Sequence, residues 1–218
     1  MSNVSASWRR DHPWAVVYRY FSAREQFSRP AAKLIFGADI DELFAQLREL
    51  DTVPNGGSVL DVPCGAGIAL GALTPERDVR FVAADISPAM LRRTEEAAAA
   101  RGLSQVQTLE ANVEQLPFAE GEFDLCLSFA GLHCFPDPAL AVREIARCLK
   151  PGGSFAGTIF LVDSGPRYAA LRLTARAMGV IGPSGGLRDV EQWLDRAGLR
   201  EVRVERLGTM ARFSARKP

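Results

Sequence analysis

The chemical signal in this chain begins with two aspartates set around a pair of glycines. Val59-Leu60-Asp61-Val62-Pro63-Cys64-Gly65-Ala66-Gly67 is a β-type run that ends in an acid and enters a glycine-containing turn. Glycine adopts backbone conformations closed to other residues and lets a ligand approach the chain, and a helix starting there offers N–H groups to a carboxylate or phosphate. A second β-type run ends in Asp85, 24 positions after Asp61. A carboxylate at the tip of a neighbouring strand can accept two hydrogen bonds from a ribose diol. The stretch Ala111 to Phe118 follows a third run and supplies a third tip on the same side of a sheet. There Asn112 offers an amide oxygen to an adenine amino group, and the backbone of Val113 can meet the ring edge. Each feature also has a plain structural use: G-x-G marks ordinary turns, and an acid at a strand end often caps a helix, a role open to Ser87 here.

Candidates for moving a proton are few, because the chain holds two histidines. His133 follows the fourth β-type run by a few residues and is the candidate general base; His12 lies far from the strand tips in sequence. Cys64, Cys126, Cys134 and Cys148 form no C-x-x-C pair, so neither a disulfide framework nor a metal site is expected, and all read as small apolar filler. Trp14, Tyr18, Tyr20 and Phe21 cluster before the first strand, and Arg167 and Tyr168 follow the fifth. These aromatic residues either pack on the body or close over an apolar or aromatic substrate.

The elements that must position these groups alternate between β and α from residue 58 onward, the pattern of an α/β protein with a mainly parallel sheet. Strands are expected at 58–62, 79–84, 105–110, 123–128 and 154–162. The near-continuous apolar character of 123–128 fits a strand buried on both faces. A helix is expected at 66–74. Ser87-Pro88 and Asp137-Pro138 each read as a cap followed by proline at the first helical position, for helices ending near Gly102 and Leu149. Lys150-Pro151-Gly152-Gly153 reads as a turn, 166–179 as a helix, 182–186 as a hinge and 188–197 as the last helix, before a hairpin around Gly208. Upstream, Asp39 to Glu42 resembles a capping box for a helix with Leu43, Phe44, Leu47 and Leu50 on one stripe. The domain reading is a helical cap or lid over 1–57 and a core over 58–218, with a substrate-lid insertion at 163–186.

Composition removes several functional classes. The 218 residues suit one domain, and 47% apolar with 24% charged residues is ordinary globular usage. Lys and Arg number 26, as do Asp and Glu, so no net field recruits a nucleic-acid backbone or anionic membrane. The longest uncharged run, residues 62–75, falls short of the ~20 needed to span a bilayer, and no secretory leader is recognisable, so the reading is cytoplasmic. Nothing speaks to oligomeric state.

In order and spacing, Val59 to Gly67, Asp85 to Leu91, Leu116-Pro117-Phe118, Phe123-Asp124-Leu125, Leu132-His133 and Leu149 to Gly153 resemble the class I S-adenosylmethionine-dependent methyltransferases of the small-molecule branch. The likeness spans about 58–162 and extends to the terminal hairpin. It implies a Rossmann-like seven-stranded sheet with an antiparallel last strand, helices on both faces, and S-adenosylmethionine lying across the strand tips. It further implies that Asp61 orients the methionine amino group, that Pro63, Gly65 and Gly67 wrap the methionine end, and that Asp85 binds the ribose. Ile86 would pack on adenine, Asn112 and Val113 would read the base edge, and Ser128 and Phe129 would pass the methyl-bearing sulfur. Trp14, Tyr18, Tyr20 and Tyr168 fall where the family places substrate elements, and the implied reaction is methyl transfer to O, N, S or C of a small acceptor. Pro63 departs from the usual glycine and Asn112 from a frequent aspartate. Two alternatives remain at this point: a nicotinamide-dependent oxidoreductase, disfavoured by Leu70 where a close-packing Gly or Ala belongs, and a cofactor-binding module without turnover.

Overall fold

The computed structural model describes residues 33, 37–163, 165, 169–177, 179 and 181–218. Trp14, Tyr18, Tyr20, Phe21, His12, Arg167 and Tyr168 lie outside them. Seven strands form one sheet: β1 (Gly57–Asp61), β2 (Val79–Asp85), β3 (Val106–Glu110), β4 (Phe123–Phe129), β5 (Leu149–Phe160), β6 (Arg200–Leu207) and β7 (Met210–Arg216), in the order β3-β2-β1-β4-β5-β7-β6. The first five pair in parallel, and β7 runs antiparallel to both β5 and β6. The Rossmann-like sheet with its terminal hairpin is as expected. The strand order reverses between β1 and β4, and in open α/β sheets the crevice at that reversal is where ligands bind.

β1 is buried along its whole length and β4 nearly so, because both of their faces are covered. Val59, Phe81, Leu125 and Leu127 pack on one side with Leu91 and Ala98 of helix α2 (Pro88–Ala100). Leu60, Val82 and Cys126 pack on the other with Val142 and Ile145 of α3 (Pro138–Cys148) and Val190 and Leu194 of α5 (Leu187–Arg196). Neighbouring residues go to opposite clusters, the period of two that a pleated strand imposes. Between β5 and α5 lies α4 (Ala169–Ala177). Among the described residues, no helix is long and apolar enough to cross a membrane.

Four local expectations need correction. The helix expected at 66–74 is a 3-10 turn, Ile68–Ala72. Gly67 enters it in the left-handed conformation (φ 80°), Leu73 leaves it extended, and Pro75 disfavours helical backbone at Thr74. The stripe from Leu43 to Leu50 belongs to a single turn, α1 (Ile40–Leu43), and a 3-10 helix, Ala45–Thr52; the Asp39 side chain takes the Asp41 amide and its carbonyl the Leu43 amide. Lys150 to Gly153 is drawn into β5, with a shift of register against β4 between Phe123 and Leu125. Ser87 stands at the N-cap of α2, but its side chain makes no capping bond. Asp137 does cap α3, its Oδ1 taking the Leu140 amide at 2.9 Å. Asp137→Ala should therefore lower the unfolding free energy by about 1 kcal/mol, read as a lower urea midpoint with an unchanged slope.

Candidate active site

At the reversal point the chain gathers its buried acids. β1 and β2 pair in register from Gly57↔Val79 to Asp61↔Ala83, and the Cys64 amide continues the ladder to the Ala84 carbonyl at 2.9 Å. Asp61 and Asp85, each at its strand's end, thus face one crevice at 2% and 5% exposure. The Asp85 carboxylate is held from both sides: Oδ2 accepts the Gly65 amide at 3.0 Å and Oδ1 the Ser87 amide at 2.9 Å. The Met90 amide, which a capping Ser87 side chain would have taken, goes instead to the Ser87 carbonyl at 3.0 Å. Among the described residues no group donates a hydrogen bond to the Asp61 carboxylate. Burial, reinforced by the Asp85 charge, pushes the Asp61 carboxyl well above the usual range. Burial also lifts Asp85 to about 6, against the pull of the Ser87, Gly65 and Ile86 amides.

The turn between β1 and the 3-10 segment uses its own amides. Those of Cys64, Gly65, Gly67 and Leu70 go to the Ala84 carbonyl, Asp85, the Cys64 carbonyl and the Gly67 carbonyl. Gly65 (φ 55°) and Gly67 (φ 80°) both occupy left-handed backbone, and a Cβ on Gly67 would come within 2.9 Å of the Leu70 side chain. Thr94, fully buried in α2, ties this turn down: its hydroxyl donates to the Gly65 carbonyl at 2.9 Å and lies 3.6 Å from the Cys64 sulfur. Burial, with the charges of Asp85 and Asp61, keeps the Cys64 thiol protonated.

At the end of β4, Ser128 is fully buried, and its hydroxyl has no hydrogen-bond partner among the described residues. Gly131 closes over it. A Cβ there would lie 2.4 Å from Ser128 Oγ and 2.3 Å from Pro63 Cδ, so only glycine lets the turn after β4 meet the turn after β1. Ile86, beside Asp85, is half-buried. Thus Asp61, Pro63, Gly65, Gly67, Asp85, Ile86 and Ser128 come together. Phe129 is spent on packing, its ring 5.6 Å from that of Phe44. Asn112 stands exposed after β3, and its Oδ1 already accepts the Glu114 amide at 3.1 Å, which shapes the turn. The side chain of Val113 is buried in the core beside Leu116.

His133, the expected base, is 4% exposed within a 3-10 turn, Leu132–Cys134. Its Nδ1 accepts the Phe160 amide at 3.3 Å, and its ring meets Phe160 edge-on at 4.8 Å. Burial lowers its pKa to about 3, so the imidazole is neutral at physiological pH, with one nitrogen already engaged. Sequence reasoning passed over Thr94 and Gly131. Thr94 hides in an alanine-rich helix, and the need for Gly131 arises only from Pro63, which is 68 positions away.

Residues 60–157 match the model of the family described as "Methyltransferase domain". A chloroplastic protein of Arabidopsis thaliana described as an uncharacterized methyltransferase is 34% identical over 126 residues, 56% of this chain and 36% of that one. The chain thus spans about a third of that relative's length. Among solved structures, a putative methyltransferase from Bacillus halodurans superposes with a TM-score of 0.67 at 20% identity, covering 80% of this chain and 98% of that one. A Haemonchus contortus phosphoethanolamine N-methyltransferase in complex with S-adenosyl-L-methionine gives 0.72 at 18% identity, over 92% of this chain and 60% of that one. The match over 60–157 makes that segment similar to the methyltransferase domain, and the sheet order agrees with the fold of those solved structures.

The raised pKa of Asp85 fixes a sign for stability. An acid that binds its proton more tightly when folded stabilises the fold below its unfolded pKa, and that contribution is lost as pH rises through the folded value. Between pH 4 and pH 7 the ligand-free protein should therefore lose about 2 kcal/mol through this group. Asp85→Asn removes the slope, so urea unfolding of the two proteins should shift in favour of the variant as pH rises; parallel pH profiles would contradict the assignment.

Proposed function

We propose that this chain transfers a methyl group from S-adenosylmethionine to a small-molecule acceptor, at O, N, S or C, by in-line displacement. The observation that carries the reading is the pair of buried carboxylates at adjoining strand ends, one of them bound to the turn after β1. A pyrophosphate meets repulsion from Asp61 and Asp85. A ligand that brings an ammonium, a sulfonium and a ribose diol meets what it needs. The same accounting disfavours the nicotinamide alternative, since the short Ile68–Ala72 turn offers no helix N-terminus to a phosphate.

In this assignment Asp61 holds the amino group, Asp85 keeps two amide donors and accepts from the ribose hydroxyls, and Ile86 lies against the base. Asn112 and Val113 border the adenine edge through the turn they shape, and Ser128 offers its unused hydroxyl beside Pro63. When bound, the donor supplies an activated methyl. The chain's own contribution is alignment of nucleophile, methyl and sulfur, which is worth effective molarities of roughly 10⁵ M in favourable cases. His133 is given no part in proton transfer. The acceptor side is assigned to the 1–57 segment and the 163–186 connection, with Trp14, Tyr18, Tyr20 and Tyr168 as candidate aromatic contacts.

Calorimetry with S-adenosylhomocysteine and, separately, NADH tests the reading. Saturable binding of the first is expected, and Asp85→Ala should weaken it by about 1.5–3 kcal/mol, roughly 10- to 150-fold. Saturable binding of NADH alone would overturn the assignment. Tight S-adenosylhomocysteine binding with no label transferred across a panel of small acceptors would favour the module without turnover.

A further inference from the structure

The connection between β5 and α5 leaves the sheet after Phe160 and is anchored again at Gly182. Both points meet one residue. The Phe160 amide donates to His133 Nδ1 at 3.3 Å, and the Gly182 amide donates to the His133 carbonyl at 2.7 Å. Gly182 is seated so closely that a Cβ there would lie 2.7 Å from the Phe135 carbonyl oxygen. The two ends are also tied to each other, since the Ser184 hydroxyl donates to the Phe160 carbonyl and the Val162 amide to the Gly185 carbonyl at 3.2 Å. His133 in turn sits two residues after Gly131, which closes on Pro63 and Ser128 at the rim of the crevice. Burial, and after it the Asp85 charge, pushes the pKa of the neighbouring Cys134 thiol up.

We infer that His133 is a positioning residue: it fastens both ends of the 163–181 connection to the turn that borders the crevice, its ring holding the departing chain and its carbonyl the returning one. A hydrogen-bond acceptor at the Nδ1 position is therefore what the site requires of this side chain. The bearing on acceptor placement rests on the methyl-transfer reading; the fastening itself does not.

Amide hydrogen exchange tests it on the full chain. His133→Ala should speed exchange at Phe160 by tenfold or more, while Gly182, bonded to a main-chain carbonyl that alanine keeps, and β1 amides such as Val59 and Leu60 stay as they are. His133→Asn, whose Oδ1 can stand where Nδ1 did, should return Phe160 to within twofold of the original. Gly182→Ala, with the histidine intact, should speed exchange at position 182, because its Cβ forces the returning chain off the same turn. Four outcomes overturn the inference: unchanged exchange at Phe160 in His133→Ala, failure of the asparagine to restore protection there, unchanged exchange at position 182 in Gly182→Ala, or acceleration spread equally over β1. S-adenosylhomocysteine binding, measured in parallel, separates the two readings. Its absence from the unmodified protein would sink the methyl-transfer assignment and leave the exchange result to decide the role of His133.

Discussion

Two carboxylates held out of water at adjoining strand ends repel each other, and taking each of them out of solvent costs several kcal/mol unless something offsets it. The fold offsets one of them: Asp85 receives the amides of Gly65 and Ser87, one from the turn after β1 and one from the head of α2. Asp61 receives no donor among the described residues, and its proton affinity rises accordingly. The crevice is thus electrostatically incomplete in a defined direction. Among the described residues Asp61 has burial and a neighbouring acid but no donor, which is an environment that favours a positively charged group beside it.

That constraint explains the crowding around the site. Because the Gly65 amide is committed to Asp85, the turn must be held in left-handed backbone, and Thr94 pins its carbonyl from α2. Because Pro63 projects from the same turn, the chain after β4 can approach only as glycine at position 131. Two residues beyond Gly131, the buried imidazole of His133 ties the crevice rim to β5 and to the anchor of α5 through Gly182. One line of contacts therefore runs from the acids through Gly131 and His133 to β5 and to Gly182 ahead of α5.

Most of the sheet was legible in the sequence, because β1, β2 and β4 are largely buried on both faces and β1 and β2 end at aspartates that break the apolar run. The Asp137 cap was legible because its bond is local, spanning three residues. What escaped depends on partners distant in sequence or on competition within a turn. The 66–74 segment has helical composition, but Gly67 and Pro75 confine it to a 3-10 turn. Ser87 has the right type for a cap, yet the Met90 amide is taken by the Ser87 carbonyl and the Ser87 hydroxyl makes no capping bond. His133 carries the residue type of a base, and its burial among Phe160, Phe135 and Gly182 changes what it can do. Residue type showed where the chemistry could be; burial and hydrogen-bond accounting decide which groups remain open to a ligand.

The central claim is that a cationic donor completes an acid pair that holds protons in its absence, and proton-linked calorimetry reads this directly. Titrating S-adenosylmethionine in buffers of different ionisation heat from pH 5 to pH 8 should show affinity rising through about pH 6, with net release of protons at the acidic end as the carboxyls are driven to their charged form. Affinity independent of pH, with no protons released, would show that Asp61 and Asp85 are not where the donor's charge is met.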